Sequence, residues 1–310
     1  MKARRLAAVA ACAAVFAGGL VGCGDSSDST GSGSTTIANR KVVVDEQLAA
    51  KVPDSFRGRL RIATAAPYPP FEYFDENQKL VGLDIDLGNA VAAKLGMKTD
   101  WQAVSFDGVI AGTKAKRFDL IISDMGVTSE RAKEIDFVTY ALAGIGMVIP
   151  KGNPQGVTTL ADFCGKPVSM EKGAIQVTFI QEFNKTTCAK AGKPIQIAQF
   201  AKSSDALLSL KTGKTSGFFV DLASGTYIAR TSEKGAAFEV LNDSKAPPSG
   251  YNPIKIGVGV GKDHTELRDA VKAALEALFA DGTYTEIFKK HGLQGSVVKK
   301  IEINGAETPQ

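Results

Sequence analysis

The segment DLIISDMGVTSERAKEIDF, residues 119–137, sets a guanidinium beside a helix start, and that pairing is a chemistry for holding oxyanions. Residues 120–123 are a short apolar run of the kind that forms a buried parallel strand, and residues 124–128 make the loop after it. Thr128 is a good N-cap for the helix that follows. Glu130 suits the positive end of that helix; Arg131 does not, unless something anionic offsets it. Free N–H groups at a helix start and a guanidinium fork together can hold a carboxylate or a phosphate. The alternative at this point is an exposed arginine on an ordinary amphipathic helix.

A second stretch with chemical potential is AAPYPPFEY, residues 65–73, where prolines beside aromatics stiffen the backbone and hold the rings. Tyr68 is assigned to a site and Phe71 to the core. Other chemistries find little support. The two histidines, His264 and His291, are too few for a Ser/His/Asp set and are not spaced with the cysteines as zinc ligands would be. There is no Gly-rich phosphate loop and no nucleophile elbow. No catalytic residue, metal ligand or cofactor is therefore assigned.

The elements that position these groups alternate. Residues 60–64 and 99–104 read as strands, 84–95 and 106–113 as helices, which with the strand at 120–123 is a doubly wound α/β pattern. Ligands in such sheets sit at the carboxyl ends of the strands, so the loops at 65–72, 105–107 and 123–128 should converge on one crevice. Residues 265–281 read as an amphipathic helix stopped by Gly282, and residues 299–310 as a loose polar tail.

The N-terminal region reads as an address. Lys2, Arg4 and Arg5 precede an apolar stretch at 6–19 that is too short to span a membrane, as in a signal peptide. Leu20-Val21-Gly22-Cys23 resembles a bacterial lipobox, which implies cleavage before Cys23 and lipidation, palmitate included, of that cysteine. The Gly/Ser-rich run GDSSDSTGSGSTT begins a flexible tether expected to reach residue 43. The mature protein is thus expected as a lipid-anchored lipoprotein on the extracytoplasmic face of the cell membrane. The net charge of +4 falls close to neutral once the three basic signal residues go, so nothing advertises nucleic acid. With 44% hydrophobic and 23% charged residues the body has the composition of a soluble domain with a proper core. Cys12 leaves with the signal and Cys23 carries lipid, so Cys164 and Cys188 are expected to form a disulfide worth about 3 kcal/mol.

Four stretches together, LRIATAAPYPPFEY, KLVGLDIDLGNAVAAKLG, FDLIISDMGVTSERAKEIDFVTY and LFADGTYTEIFKKHG, resemble the solute-binding proteins of ABC importers for polar amino acids, family 3 of the bacterial extracellular solute-binding proteins. The resemblance covers residues 44–293. It implies the periplasmic binding protein type II fold: two α/β lobes, each doubly wound, joined by a two-strand hinge and closing over the ligand. The expected division is signal peptide 1–22, tether 23–43, first lobe 44–143 and 253–310, second lobe 144–252.

Site residues follow from the same resemblance. Arg131 matches the arginine that clamps the ligand's α-carboxylate, and Asp221, after an apolar strand at 217–220, matches the acid that meets the α-ammonium. Tyr68 and Phe106 match pocket-lining positions, and Ser123 belongs to the strand-end loop. Where the family often has a small residue and then a hydroxyl residue, this chain has Asp124 and Gly126; Gly126 keeps its N–H for the carboxylate. The familiar Gly-Thr-Thr turn has become Gly173-Ala174-Ile175, in which Ile175 offers only its N–H. Glu171 lies where the ligand side chain is received, with Lys172 beside it, while Ala65 stands where binders of basic amino acids can carry an aspartate. Asp124, Glu171 and Asp221 would surround one small cavity with three acids against one arginine, which favours a lysine-, arginine- or ornithine-like ligand. The chain is therefore expected to be a monomeric, non-enzymatic binding lipoprotein that delivers a free amino acid to an ABC permease in the membrane. The alternatives are a binder of glutamine, glutamate or an unusual amino-acid derivative, a sensor domain with the same site, and a periplasmic dehydratase on the same scaffold with Glu171 as general acid.

Overall fold

The computed structural model describes residues 34–305; the expected signal peptide, Cys23 and the first part of the expected tether lie outside them. The chain begins with an antiparallel hairpin of β1 (Ser34–Ile37) and β2 (Arg40–Val43). Its turn residues Ala38 and Asn39 both take positive φ, 48° and 61°, as a two-residue turn between twisted strands requires. Ile37 and Val42 are buried in the main core, so residues 34–43 belong to the folded body and not to the expected tether.

After the short α1 (Glu46–Ala49) come β3 (Arg59–Thr64), a small hairpin of β4 (Tyr73–Phe74) and β5 (Leu80–Val81), α2 (Leu83–Lys94), β6 (Lys98–Ala103), α3 (Val109–Lys114) and β7 (Leu120–Ile121). α4 (Arg131–Glu134) is a single turn that runs directly into β8 (Ile135–Pro150). The second half holds β9 (Pro167–Glu171), α5 (Ile175–Thr186), β10 (Gln196–Phe200), α6 (Ser203–Lys211), β11 (Gly217–Asp221), α7 (Leu222–Thr231) and β12 (Phe238–Val240). The chain returns along β13 (Tyr251–Gly261) and closes with α8 (Thr265–Ala280) and α9 (Thr283–Lys290).

The strands form one path, β10-β9-β11-β8-β13-β7-β3-β6, with β12 beside β8. It is continuous because β8 and β13 are long enough to serve two lobes. β3 pairs in parallel with β6 and β7 in the first lobe; β9 pairs in parallel with β10 and β11 in the second. β8 runs beside β13 from Ile135 to Ile145, β11 joins its other side from Ile145 onward, and the β8–β13 register slips between Tyr251 and Ile254. That is the two-strand hinge of a type II binding-protein fold. The main core packs α2, α8 and α9 on the first lobe's sheet, with Tyr284 donating its hydroxyl to Tyr140 O at 2.7 Å. A separate core around Phe163, Met170, Ile180 and Phe219 fills the second lobe.

Two further expectations change. Residues 299–304 are not a loose tail: Ile303 bridges to Val138, Thr139 N–H donates to Glu302 O, and Asn304 N–H donates to Phe137 O. Polarity hid this because a segment laid along an exposed strand edge needs backbone bonds more than apolar side chains. The expected strand at 120–123 is only two residues long, since Ser123 and Asp124 turn away to serve the crevice. The Cys164–Cys188 disulfide is present with a Cα–Cα distance of 5.5 Å, and it staples the second lobe without crossing the hinge.

Candidate functional site

Strand ends from both lobes meet at one small cavity. β3 delivers Ala65 and Tyr68, the residues after β6 deliver Phe106, and the loop after β7 delivers Ser123, Asp124 and Gly126, with Arg131 at the start of α4. From the other lobe, Glu171 ends β9, Ala174 and Ile175 open α5, and Asp221 ends β11. All ten residues assigned to the site from the sequence line this cavity, together with Ala65, Glu72 and Gln176.

A buried polar frame shapes the first-lobe side. The Ser123 hydroxyl donates to Glu72 Oε1 at 2.7 Å and accepts from Ala65 N–H at 2.9 Å. Asp124 sits at φ 41°, a left-handed turn that aspartate tolerates, and its N–H donates to Asp84 Oδ2 at 2.6 Å. Tyr140 donates to the other Asp84 oxygen at 2.8 Å. Gly82 makes this packing possible: its φ is 134°, and a Cβ there would lie 2.0 Å from Phe71 O. Phe71 is in the core and Tyr68 faces the cavity, as the sequence suggested.

Arg131 departs from the simple dipole argument. Thr128 Oγ1 does accept from its N–H at 3.1 Å, but a one-turn helix carries little dipole. The guanidinium instead donates from Nη1 to Gly126 O and from Nη2 to Gly173 O, each at 2.8 Å, and lies over the Phe106 ring at 5.4 Å. It thus spans both lobes. Burial lowers its pKa to about 10, with Asp221 and Glu130 opposing the shift.

Asp221 occupies the N-cap position of α7 without capping it through its side chain. It accepts from Gln176 Nε2 at 3.0 Å, and its N–H donates to the Tyr68 hydroxyl at 3.2 Å. Asp124 faces Asp221, and neither Asp124 oxygen has a well-formed hydrogen bond. Burial and then the Asp221 charge push Asp124 well above the ordinary carboxylate range, and burial raises Asp221 too. Burial, followed by the Asp84 charge, does the same to Glu72, and burial moves Asp84 to about 6. Glu171 is pushed up to about 8 by burial. Lys172 does not neutralise it, because that ammonium pairs with Asp107 at 2.7 Å.

The sequence reading missed Glu72, Asp84 and Gln176. Glu72 lay inside a stretch singled out for its rings, and Gln176 directly follows Ile175. A polar residue at a strand end or first helical turn beside assigned site residues was the available signal. Gln176 Oε1 and Glu72 Oε2 are buried without a partner, so the cavity presents more acceptors than the protein satisfies. Among the described residues no cluster has the make-up of a metal site.

A sequence model of the bacterial extracellular solute-binding proteins, family 3, matches residues 60–294. The lysine/arginine/ornithine-binding periplasmic protein of Escherichia coli (strain K12) is 32% identical over 235 residues, 75% of this chain and 86% of that protein. An ancestral arginine-binding protein bound to arginine superposes with a TM-score of 0.68 at 32% identity, over 76% of this chain and 99% of the other. An ancestral amino-acid-binding protein that is a precursor of cyclohexadienyl dehydratase gives 0.67 at 26% identity, over 77% and 98%.

Proposed function

Because the chain belongs to family 3 of the bacterial extracellular solute-binding proteins, we propose that it captures an amino acid with a cationic side chain outside the cytoplasm and delivers it to the permease of an ABC importer. The observation that carries the cationic reading is the balance of the cavity: Asp124, Glu171 and Asp221 against Arg131 alone. Carboxylates buried without partners are costly, and a ligand bearing two cations and one carboxylate removes most of that cost.

In this reading Arg131 and the N–H groups of Gly126 and Ile175 hold the ligand carboxylate. Asp221 and Asp124 take the α-ammonium, Tyr68 and Phe106 cover the ligand, Ser123 and Ala174 complete the wall, and Glu171 meets the side-chain cation. The cavity is only about 20 Å³, room for a water and far below the roughly 300 Å³ of small ligand sites, so entry requires the lobes to part. The hinge lies where the β8–β13 register slips and β11 joins β8, which supports lobes of 44–143 with 253–310, and 144–252. Anchoring through Cys23, and action as a monomer without turnover, belong to the same proposal; the relatives named above as lysine/arginine/ornithine- and arginine-binding are binding proteins.

One observation favours a second reading. With a pKa of about 8, Glu171 is protonated at neutral pH in the absence of a cation, and a neutral carboxyl can donate to the side-chain amide of glutamine. A thermal-shift screen against all common amino acids, ornithine and citrulline separates the two, because a ligand that binds only the folded form raises its stability by RT ln(1 + [L]/Kd). Lysine, arginine or ornithine should give the largest shift. A shift from glutamine alone would replace the cationic reading.

A further inference from the structure

The cleft does not end at Glu171. That carboxyl and Ala65 line the inner cavity and also a second one of about 280 Å³, which continues outward between the lobes. The outer cavity is bounded by Phe74 and Val104 from the first lobe and by Lys202 and Ser203 from the second. Phe74 is one of the few large apolar side chains left exposed, at 43%, and it stands at this opening. Lys202 has no ion-pair partner among the described residues. It is also the N-cap residue of α6, where the helix adds partial positive charge.

The two cavities thus repeat one arrangement of charge. Inside, Arg131 stands with Asp221 and Asp124; outside, Lys202 stands with Glu171. Each pair offers a cation for a carboxylate and an acid for an ammonium. Resting on the cationic amino-acid reading, we propose that the ligand carries an amino-acid group at both ends: a diamino dicarboxylic acid whose distal ammonium meets Glu171 and whose distal carboxylate meets Lys202. The small Ala65 side chain leaves the passage between the two ends open, and Phe74 and Val104 cover the linker.

Lysine and meso-diaminopimelate differ by a single carboxylate on the distal amine-bearing carbon, which makes them a matched pair of probes; L-cystine is a two-headed compound with a linker one atom longer. Titration calorimetry of the protein with all three should find a two-headed compound bound about tenfold or more tighter than lysine. Lys202→Ala should remove that advantage while lysine affinity stays within about twofold. The inference is overturned, and the cationic reading kept, if lysine binds and neither two-headed compound exceeds it, or if Lys202→Ala weakens lysine and the two-headed compound alike. Absence of binding by all three overturns the inference, and the cationic reading falls with it only if arginine and ornithine also fail to bind.

Discussion

Arg131 does two jobs with one planar group, and they separate on substitution. Its Nη atoms tie Gly126 O to Gly173 O across the cleft, and the donors that remain are available to a ligand carboxylate. Arg131→Ala strands that carboxylate in a buried site, at a cost of about 2–5 kcal/mol, so calorimetry should show affinity falling on the order of a hundredfold or more. A loss of only a few fold would remove Arg131 from the clamp. Glu171 sets a pH dependence. Its folded pKa of about 8 lies above the unfolded value, so the folded state holds the extra proton. The stability this carries is full below about pH 4.5 and is lost as pH rises through about 8. Ligand-free Glu171→Gln should lose less stability across that window in denaturant titrations, by an amount on the order of 5 kcal/mol. Identical pH profiles for the two proteins would show that Glu171 is not buried as drawn.

Among the elements, those with strong local signals were legible and those held by distant contacts were not. β3, α2, β6 and α3 match the sequence reading closely because each has its own period and stop, Gly96 closing α2 for instance, whereas the short β4–β5 hairpin was not foreseen. The β1–β2 hairpin escaped because its turn is Ala38-Asn39, without the glycine that usually marks such turns, and it follows a low-complexity run. Asp124, Glu171 and Asp221 were legible through the family resemblance, and each ends a strand or lies in the loop after one. The frame behind them was not: Glu72, Asp84 and Tyr140 come together only through the fold. Gly82 shows how tightly that frame is built. Gly82→Ala places a Cβ against Phe71 O at a backbone angle that only glycine adopts freely, and should cost at least about 2 kcal/mol in thermal denaturation. Near-native stability would mean that the α2 start can shift without penalty. By contrast, Cys164→Ser combined with Cys188→Ser should cost about 3 kcal/mol while ligand affinity stays unchanged, since the bridge lies wholly inside one lobe.

At the scale of the whole molecule, a few contacts cross the cleft: Lys172 with Asp107 at 2.7 Å, Arg131 with Gly173 O, and the Asp221 N–H with the Tyr68 hydroxyl. The first lies at the rim and touches no assigned ligand group. Lys172→Ala should therefore speed ligand release several fold in stopped-flow experiments and weaken the salt dependence of that rate, with little change in melting temperature. Unchanged release would place the energy of closure on the ligand alone.

The path of β8 and β13 also orders events in time. The second lobe is one uninterrupted stretch with its own core and its own disulfide, so it has everything it needs once residue 252 has been synthesised. The first lobe must wait for β13, α8, α9 and the strand-edge residues up to Asn304. A chain made from the N-terminus therefore has the lobe with Asp221 and Glu171 as a finished part, and the lobe with Arg131 is completed around it last.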